Sequence, residues 1–496
     1  MYNFFYNIYS ISIELYIVFS VIILLIYGVF FSTFITYGYP LISYNIGWLV
    51  LQILFFSFLL SYSQIYIYMF SWNKLLVFDF FAWGTQLIIL FFLILWWIIT
   101  FIYIQKQKIL FFEYWVLILF AVVGILFVIK SYDFLSIYLA IEFQSLVFYI
   151  LASINRSSEF STEAGLKYFI LGAFSSAFLL LGFSVIYGLT GITNLGDFSK
   201  FFSGILFSGI FVHYGIIFGL IFILVALMFK FSAAPFHMWV PDVYEGSPSS
   251  ITVFFSIFPK YAVICLCLRL LLYSFHDYII YWREFILFCI LFCAIIGTLG
   301  AFYQLKWKRF LAYSSINHVS FLLLALVIGD LQSISCIIFY IVIYSIIMIG
   351  IFSIILSLYY YDYPNYYQLR YIKNILSLNI TNPLLALSLV LILFSVSGIP
   401  PLAGFFSKFF ILLSALQVNA FGICMFLILF SCVSCFYYIR LIKIMYFDIN
   451  KNLLIIYPLP KSISLVLGVS LIINIFLIFD LDLFYKFSVF ISLSFL

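Results

Sequence analysis

The chain has 496 residues, of which 67% are hydrophobic and 8% charged, and its mean hydropathy is +1.28. This composition excludes a soluble domain of that size, which needs far more polar surface. We expect no nucleic-acid partner. The apolar runs are continuous rather than alternating, so they favour membrane-spanning helices over the strands of a membrane barrel.

Hydropathy predicts an all-α polytopic membrane protein with about fourteen transmembrane helices, because each crossing needs about 20 apolar residues. In chain order the helices are expected at 14–35, 45–70, 76–104, 109–129, 134–153, 165–190, 210–240, 250–273, 279–303, 310–329, 333–361, 384–415, 419–446 and 463–485. We predict one transmembrane domain over 1–496, with no soluble domain.

Charged residues near the predicted helix ends indicate the orientation of the chain. Basic residues are most frequent in the connections between helices 3–4, 5–6, 9–10, 11–12 and 13–14. The positive-inside rule therefore places these connections in the matrix or cytoplasm and both termini on the opposite side. Five acids also lie near helix ends, where we expect them at the membrane interface without a chemical role: Glu14, Asp79, Glu113, Asp133 and Glu163.

Two of the predicted helices are interrupted by proline. Helix 7 carries Lys230 just before a break at 232–235, and helix 12 breaks at 398–401 with Lys408 after it. Proline frees a backbone carbonyl that lipid cannot satisfy, whereas buried polar groups and water can. Interrupted helices in corresponding positions predict two five-helix repeats, helices 4–8 and 9–13. Because each repeat has an odd number of helices, the second repeat has inverted topology in the membrane relative to the first.

These repeats divide the domain into four parts. The three N-terminal helices occupy 1–108, the first repeat 109–273, the second repeat 279–446 and the C-terminal helix 447–496.

Four ionisable side chains lie deep in apolar sequence: Glu142, Lys230, Lys260 and Lys408. A lysine at mid-bilayer depth costs roughly 2.5–3.5 kcal/mol, so it normally faces the protein interior or a wet cavity. Glu142 paired with a lysine, of which Lys230 is the nearest candidate, would lower the cost of burying both charges. Such a pair is either purely structural or part of a path on which lysines load and release protons.

Two histidines and the cysteine pairs Cys432/Cys435 and Cys265/Cys267 have weaker patterns. His237, just past the first break, and His318 on helix 10 either relay protons near neutral pH or simply pack and donate hydrogen bonds. Cys432 and Cys435 have CxxC spacing, as a metal site would, but no further ligands lie at suitable spacing. We interpret the cysteines as small buried hydrophobic residues and expect no metal site.

Six further motifs lie along the chain: SEFSTEAGLKY (158–168), LGAFSS (171–176), APFHMW (234–239), PDVYEGSP (241–248), KRFLAYSSI (308–316) and GIPPLAGF (398–405). Together they resemble the motifs of subunit 2 of mitochondrial NADH dehydrogenase. The resemblance spans nearly the whole chain and is closest to the long, fourteen-helix form of plants and protists. Single motifs recur in all antiporter-like subunits of respiratory complex I and in related cation/proton antiporters.

The resemblance implies roles for individual residues. Glu142 and Lys230 match the family's helix 5 glutamate and helix 7 lysine, and Lys260 matches its central lysine on helix 8. Lys408 matches the helix 12 lysine that faces the exit path, and His237 stands where the family also has a histidine. The chain departs from the family at Asn317 and Ser320, which replace commoner glycines on helix 10.

The function implied is that of a proton-translocating membrane-arm subunit of complex I, the NADH:ubiquinone oxidoreductase. NADH, FMN, iron–sulfur clusters and ubiquinone would be used by other subunits, with no cofactor in this chain. The expected partners are neighbouring antiporter-like subunits, supernumerary subunits and lipids such as cardiolipin. The expected location is the mitochondrial inner membrane, and the Phe- and Tyr-rich composition agrees with an organellar gene.

Three alternatives remain open at this point. A stand-alone cation/proton antiporter would use the same lysines without partners. A non-pumping structural subunit would keep the helices but tolerate loss of Lys230. A lipid-linked glycosyltransferase usually has paired acids in a polar loop, and the sequence has no evident pair of that kind.

Overall fold

In the computed structural model, residues 2–32, 42–107, 109, 111–204, 210–362, 365–376, 378–448 and 458–495 are described. Within them, twelve helices are long and apolar enough to cross a membrane, or thirteen when one bent pair counts as a single span. The remaining predicted span, 384–415, consists of two shorter apolar helices. The predicted all-α polytopic membrane fold is confirmed.

The helices of the N-terminal part and the first repeat follow one another with short connections. They are α1 Tyr2–Ser10, α2 Ser12–Ser32, α3 Ile42–Ser63, α4 Phe80–Lys106, α5 Glu113–Lys130, α6 Phe134–Ala152, α7 Glu159–Thr190, α8 Leu195–Gly204, α9 Ile210–Phe231, α10 Trp239–Gly246 and α11 Ser249–Cys267. A π-helical turn, Leu268–Ser274, continues α11.

The remaining helices form the second half. Its helices are α12 Ile279–Phe302, α13 Trp307–Ile328, α14 Leu331–Ser357, α15 Leu378–Thr381, α16 Pro383–Ser397, α17 Ala403–Gln417, α18 Phe421–Tyr446, α19 Lys461–Phe476 and α20 Leu481–Leu493. Short 3-10 turns stand at His276–Tyr278 and Ile372–Ile375.

Two antiparallel hairpins lie in the connections, and the sequence analysis did not predict them. Strands β1, Met69–Ser71, and β2, Leu76–Phe78, pair with Met69 opposite Phe78. Strands β3, Tyr359–Asp362, and β4, Asn365–Gln368, pair with Tyr359 opposite Gln368. The predicted helix 333–361 therefore ends at Ser357, since its tyrosine-rich continuation favours a strand.

Three helices form the centre of the bundle. The apolar windows of α11, α13 and α14 are 100%, 94% and 94% buried, whereas those of α7 and α18 are 39% and 28% buried. A helix that is apolar on all sides is buried only when other helices surround it. Lys260 on α11 is therefore central in the protein.

The last predicted span, 463–485, is wrong as a single straight helix. The chain turns by 94° between α19 and α20. The turn contains Asp480, whose backbone leaves the helical region before α20 begins. Hydropathy alone did not indicate this bend, because both helices are apolar.

Both predicted breaks are present. Between α9 and α10 the chain leaves the helix at Ser232, and between α16 and α17 it does so at Gly398. The Ala234–Pro235 and Pro400–Pro401 peptide bonds are cis.

Two acids expected at the membrane interface are instead buried in ion pairs. Glu14 on α2 and Lys130 at the end of α5 are 2.7 Å apart, with side-chain exposures of 0% and 1%. Asp79, which caps α4 by accepting from Ala82, also lies 2.8 Å from Arg269. The partners are far apart in the chain, so position near a helix end did not indicate that either acid was paired. These pairs join the N-terminal helices to the first repeat.

Lys130→Met should destabilise the protein by about 3–5 kcal/mol, because it leaves the Glu14 carboxylate buried without a counter-charge. The measurement is the thermal denaturation midpoint and assembled yield of the purified complex. Adding Glu14→Gln to Lys130→Met should recover most of the loss.

The matched control is Lys486→Met, since Lys486 pairs with Asp482 at an exposed position. That change should cost less than about 1 kcal/mol. Equal losses for the two lysine variants would contradict a structural role for the Glu14–Lys130 pair.

Candidate functional site

Lys230 lies in the last turn of α9, directly before the first break. Its Nζ atom lies 3.4 Å from the Tyr149 hydroxyl on α6 and 5.8 Å from the centre of that ring. Glu142, further back on α6, acts electrostatically on Lys230 but forms no ion pair with it in the described chain. Its Oε1 atom is buried and has no hydrogen-bond partner among the residues that the structure describes. The direct Glu142–Lys230 contact considered from the sequence is therefore replaced by a contact with Tyr149.

A small cavity of about 20 Å³ adjoins Lys230. Gln144 and Ser145 line it from α6, and Pro259 lines it from α11. Its wall is mostly apolar, with Gln144, Ser145 and Lys230 among its polar groups, and it is large enough for about one water molecule. It extends from Lys230 to the residue that precedes Lys260.

Lys260 is 3% exposed and is held by neutral groups of the second half. Its Nζ atom donates to the Ser315 carbonyl on α13 at 3.3 Å and to the Tyr344 hydroxyl on α14 at 3.2 Å. Pro259 cannot donate to the Phe255 carbonyl one turn earlier. The Tyr244 hydroxyl donates to that carbonyl instead, at 3.2 Å.

His318 lies between Lys260 and Lys408. Both lysines act on it electrostatically, and its Nδ1 atom is 2.7 Å from the Tyr340 hydroxyl. Its ring centre is 5.3 Å from that of Tyr344, the residue that accepts from Lys260. The geometry thus brings this predicted relay residue next to the lysines.

Lys408 caps the helix that precedes its own break. Its Nζ atom donates to the carbonyls of Val396 at 3.0 Å and Ser397 at 2.7 Å, in the last turn of α16. These carbonyls have no partner within the helix, and they form the negative end of its dipole. Phe321 on α13 lies beneath the ammonium group, at 5.5 Å.

His237 is also buried but is placed differently. It lies in the segment after the first break, with its ring centre 6.5 Å from that of Tyr313, and its Nδ1 atom has no hydrogen-bond partner within the described residues.

The two departures from the family motif, Asn317 and Ser320, are buried on α13, where the Ser320 hydroxyl donates to the Asn317 carbonyl.

An ionic cluster missed by the sequence analysis joins the two halves. Asp242 on α10 lies 3.0 Å from Lys167 on α7 and 2.5 Å from Arg309 on α13. Glu245 pairs with Arg309 at 2.8 Å and with Lys306. Burial alone would raise the pKa of Asp242, but hydrogen bonds from Lys167 and Arg309 hold that pKa below its ordinary value. One sequence signal could have indicated this cluster. Asp242 and Glu245 share one motif, and the basic residues Lys167 and Arg309 lie in two others.

Residues 131–436 match the family model described as the transmembrane region of NADH:quinone oxidoreductase and Mrp antiporters. NADH-ubiquinone oxidoreductase chain 2 of Marchantia polymorpha is 43% identical over 461 residues, which cover 92% of each chain. The chain belongs to the NADH-ubiquinone oxidoreductase chain 2 family. Chain 2 of Arabidopsis thaliana is 39% identical, over 95% of this chain and 92% of that relative.

A chain of respiratory complex I from Thermus thermophilus has the same fold. Its TM-score is 0.76 at 24% identity, with 96% of this chain and 99% of that chain covered. Family and fold together make this chain a multi-pass, antiporter-like subunit of the membrane arm of complex I.

In this member of the chain 2 family, Gly404→Ala should displace α17 and with it Lys408. A Cβ atom at Gly404 would overlap the Ser395 carbonyl oxygen, a backbone atom that cannot move aside alone. We expect lower thermal stability and a lower proton-to-electron ratio in the purified complex. The control is Gly422→Ala on α18, where a Cβ atom meets nothing within 4 Å. Normal proton output in Gly404→Ala would show that the close approach is dispensable.

Proposed function

We propose that this subunit translocates protons across the mitochondrial inner membrane through Lys230, Lys260, His318 and Lys408. The observation that carries the proposal is the kind of partner these lysines have. Within the described residues, all three contact neutral hydroxyls, carbonyls or aromatic rings, and none forms an ion pair. A buried ammonium without a counter-charge is costly, so its neutral form is within reach and the proton can leave.

The order of the groups supports a path from one half to the other. The cavity beside Lys230 extends to Pro259, Lys260 contacts α13 and α14, and His318 packs against Tyr344, which accepts from Lys260. On its other side His318 bonds to Tyr340, whose ring stacks on Phe321 beneath Lys408. Glu142 adjusts the charge on Lys230 from a distance, and His237 is a further candidate for relay. We expect protons to load from the matrix side and to leave beyond Lys408.

The energy must come from elsewhere in the complex. Moving one charge against 100 mV takes about 2.3 kcal/mol. We propose that electron transfer from NADH to ubiquinone, through FMN and iron–sulfur clusters of other subunits, supplies it. Neighbouring antiporter-like subunits, supernumerary subunits and lipids such as cardiolipin complete the proposed surroundings, and we propose an organellar gene.

Lys260→Met should lower the number of protons moved per electron, since it removes the central proton carrier. Lys260→Arg should lower it as well, because arginine keeps the charge but does not release its proton. The measurement is the proton-to-electron ratio of the purified complex in sealed liposomes. Lys461→Met, at an exposed position at the start of α19, is the control.

A purely structural role for Lys260 makes a different prediction. Arginine would then restore normal output, because a positive charge would be sufficient. An unchanged ratio in Lys260→Met, in a fully assembled complex, would rule out the proposed path.

Glu142→Gln should leave assembly and thermal stability nearly unchanged while lowering proton output. Within the described residues Glu142 forms no ion pair, so its loss leaves no paired cation behind, in contrast to Glu14→Gln at the Glu14–Lys130 pair. Thermal midpoints and proton-to-electron ratios of the two variants measure this difference. If Glu142→Gln were as unstable as Glu14→Gln, its role would be structural.

A further inference from the structure

A cavity of about 830 Å³ opens at the end of the bundle where the basic-rich connections meet. Five connections contribute to its wall: those between α4 and α5, α6 and α7, α10 and α11, α12 and α13, and β4 and the following 3-10 turn. We call it the basic cavity. It is separate from the lysine path described above, and none of the proposed proton carriers lines it.

The charge of the basic cavity is strongly positive. Arg156, Lys306, Lys308 and Arg370 line it, against the single carboxylate of Glu245. Lys306 and Arg309 already pair with that carboxylate. Lys308 donates to the Ser247 carbonyl at 2.7 Å, a neutral group.

Two buried polar groups of the wall lack partners. The Ser247 hydroxyl and the Trp307 indole N–H belong to residues that are 1% and 2% exposed, and neither atom has a hydrogen-bond partner in the described chain. Leaving a buried donor unpaired costs about 1–3 kcal/mol, so a molecule that accepts from these groups would be stabilised there. Both groups can donate to an anion.

Three helices begin at the edge of the same cavity. They are α7, which follows Ser158, α11, which follows Pro248, and α13, which follows Lys306. The residues that precede α7 and α13 make no capping side-chain hydrogen bond, whereas the first N–H of α11, at Ser249, donates to the Tyr103 hydroxyl at 3.2 Å. The positive ends of three helix dipoles add to the cationic side chains.

We propose that the basic cavity binds a phosphate-bearing ligand. Arg156, Lys308 and Arg370 match its charge, and Ser247 and Trp307 supply the neutral donors. A phosphate group has enough oxygen acceptors for several such donors, and arginine binds it through paired hydrogen bonds. Phe111, Phe160 and Ile355 give the cavity apolar walls as well. The phosphate belongs either to an anionic phospholipid at the membrane surface or to a free phosphate compound, and the inference does not depend on proton transfer.

The test is arginine modification in the intact complex after removal of bound phospholipid. Phenylglyoxal labelling of Arg156 and Arg370 is followed by peptide mass spectrometry, with exposed Arg440, outside the cavity, as the internal control. The complex is labelled alone, with inorganic phosphate, with cardiolipin vesicles and with phosphatidylcholine vesicles. Compared with the complex alone, we expect several-fold slower labelling of Arg156 and Arg370 when the phosphate-bearing ligand is present. Labelling of Arg440 should be unchanged.

The four conditions separate the sources of the phosphate. Protection by inorganic phosphate supports a free phosphate compound, and protection by cardiolipin alone supports a lipid headgroup. Protection by neither, equal protection by phosphatidylcholine, or equal protection of Arg440 would overturn the proposal. Arginines that do not react in the stripped complex would overturn it too, because another subunit would then close the cavity.

A pair of variants tests whether the cavity acts as one site. Arg370→Gln should abolish the protection of Arg156, whereas Lys373→Gln, nearby but outside the basic cavity, should retain it. In Arg370→Gln the backbone carbonyl of residue 370 can still accept from the Trp307 backbone N–H, so the local fold should persist. Both variants should move protons normally, which separates this proposal from the proposed function. Unaltered protection of Arg156 in Arg370→Gln would contradict the proposal.

Discussion

The cost of burying an ammonium group determines much of this structure. The protein meets that cost in two ways, and each belongs to a different part of the bundle. Lys130 and Arg269, where the N-terminal helices join the first repeat, lie against carboxylates. Lys260 and Lys408, along the middle of the bundle, lie against hydroxyls and carbonyls. A full counter-charge fixes a cation in place, whereas neutral acceptors stabilise it less and leave it free to change its protonation state.

Helix irregularities add neutral acceptors to those that continuous helices offer. A carbonyl within an unbroken helix already accepts from its own helix, whereas a carbonyl at a break is left for another donor. The break after α16 leaves the carbonyls of Val396 and Ser397 for Lys408. Pro259 similarly leaves the Phe255 carbonyl for Tyr244. Proline and glycine in these apolar helices thus place polar groups at a depth where lipid offers none.

Local sequence was sufficient for the helices, the breaks and the buried lysines, because hydropathy, proline and isolated charges act over one or two helical turns. Local sequence was not sufficient to predict which side chains contact each other. The contact of Lys230 with Tyr149, the burial of Glu14 and the cluster around Asp242 each depend on which helices become neighbours. The bend before α20 and the β3–β4 hairpin were missed because apolar and tyrosine-rich segments suit several local conformations.

The Glu14–Lys130 pair also constrains how such a chain can change over generations. Lys130 ends α5, within the first repeat, but its counter-charge comes from α2. A descendant that lost the N-terminal helices would retain the cation and lose the carboxylate. Loss of these helices is therefore tolerable only together with an apolar or neutral residue at position 130, so the length of the chain and the identity of one internal side chain must evolve together.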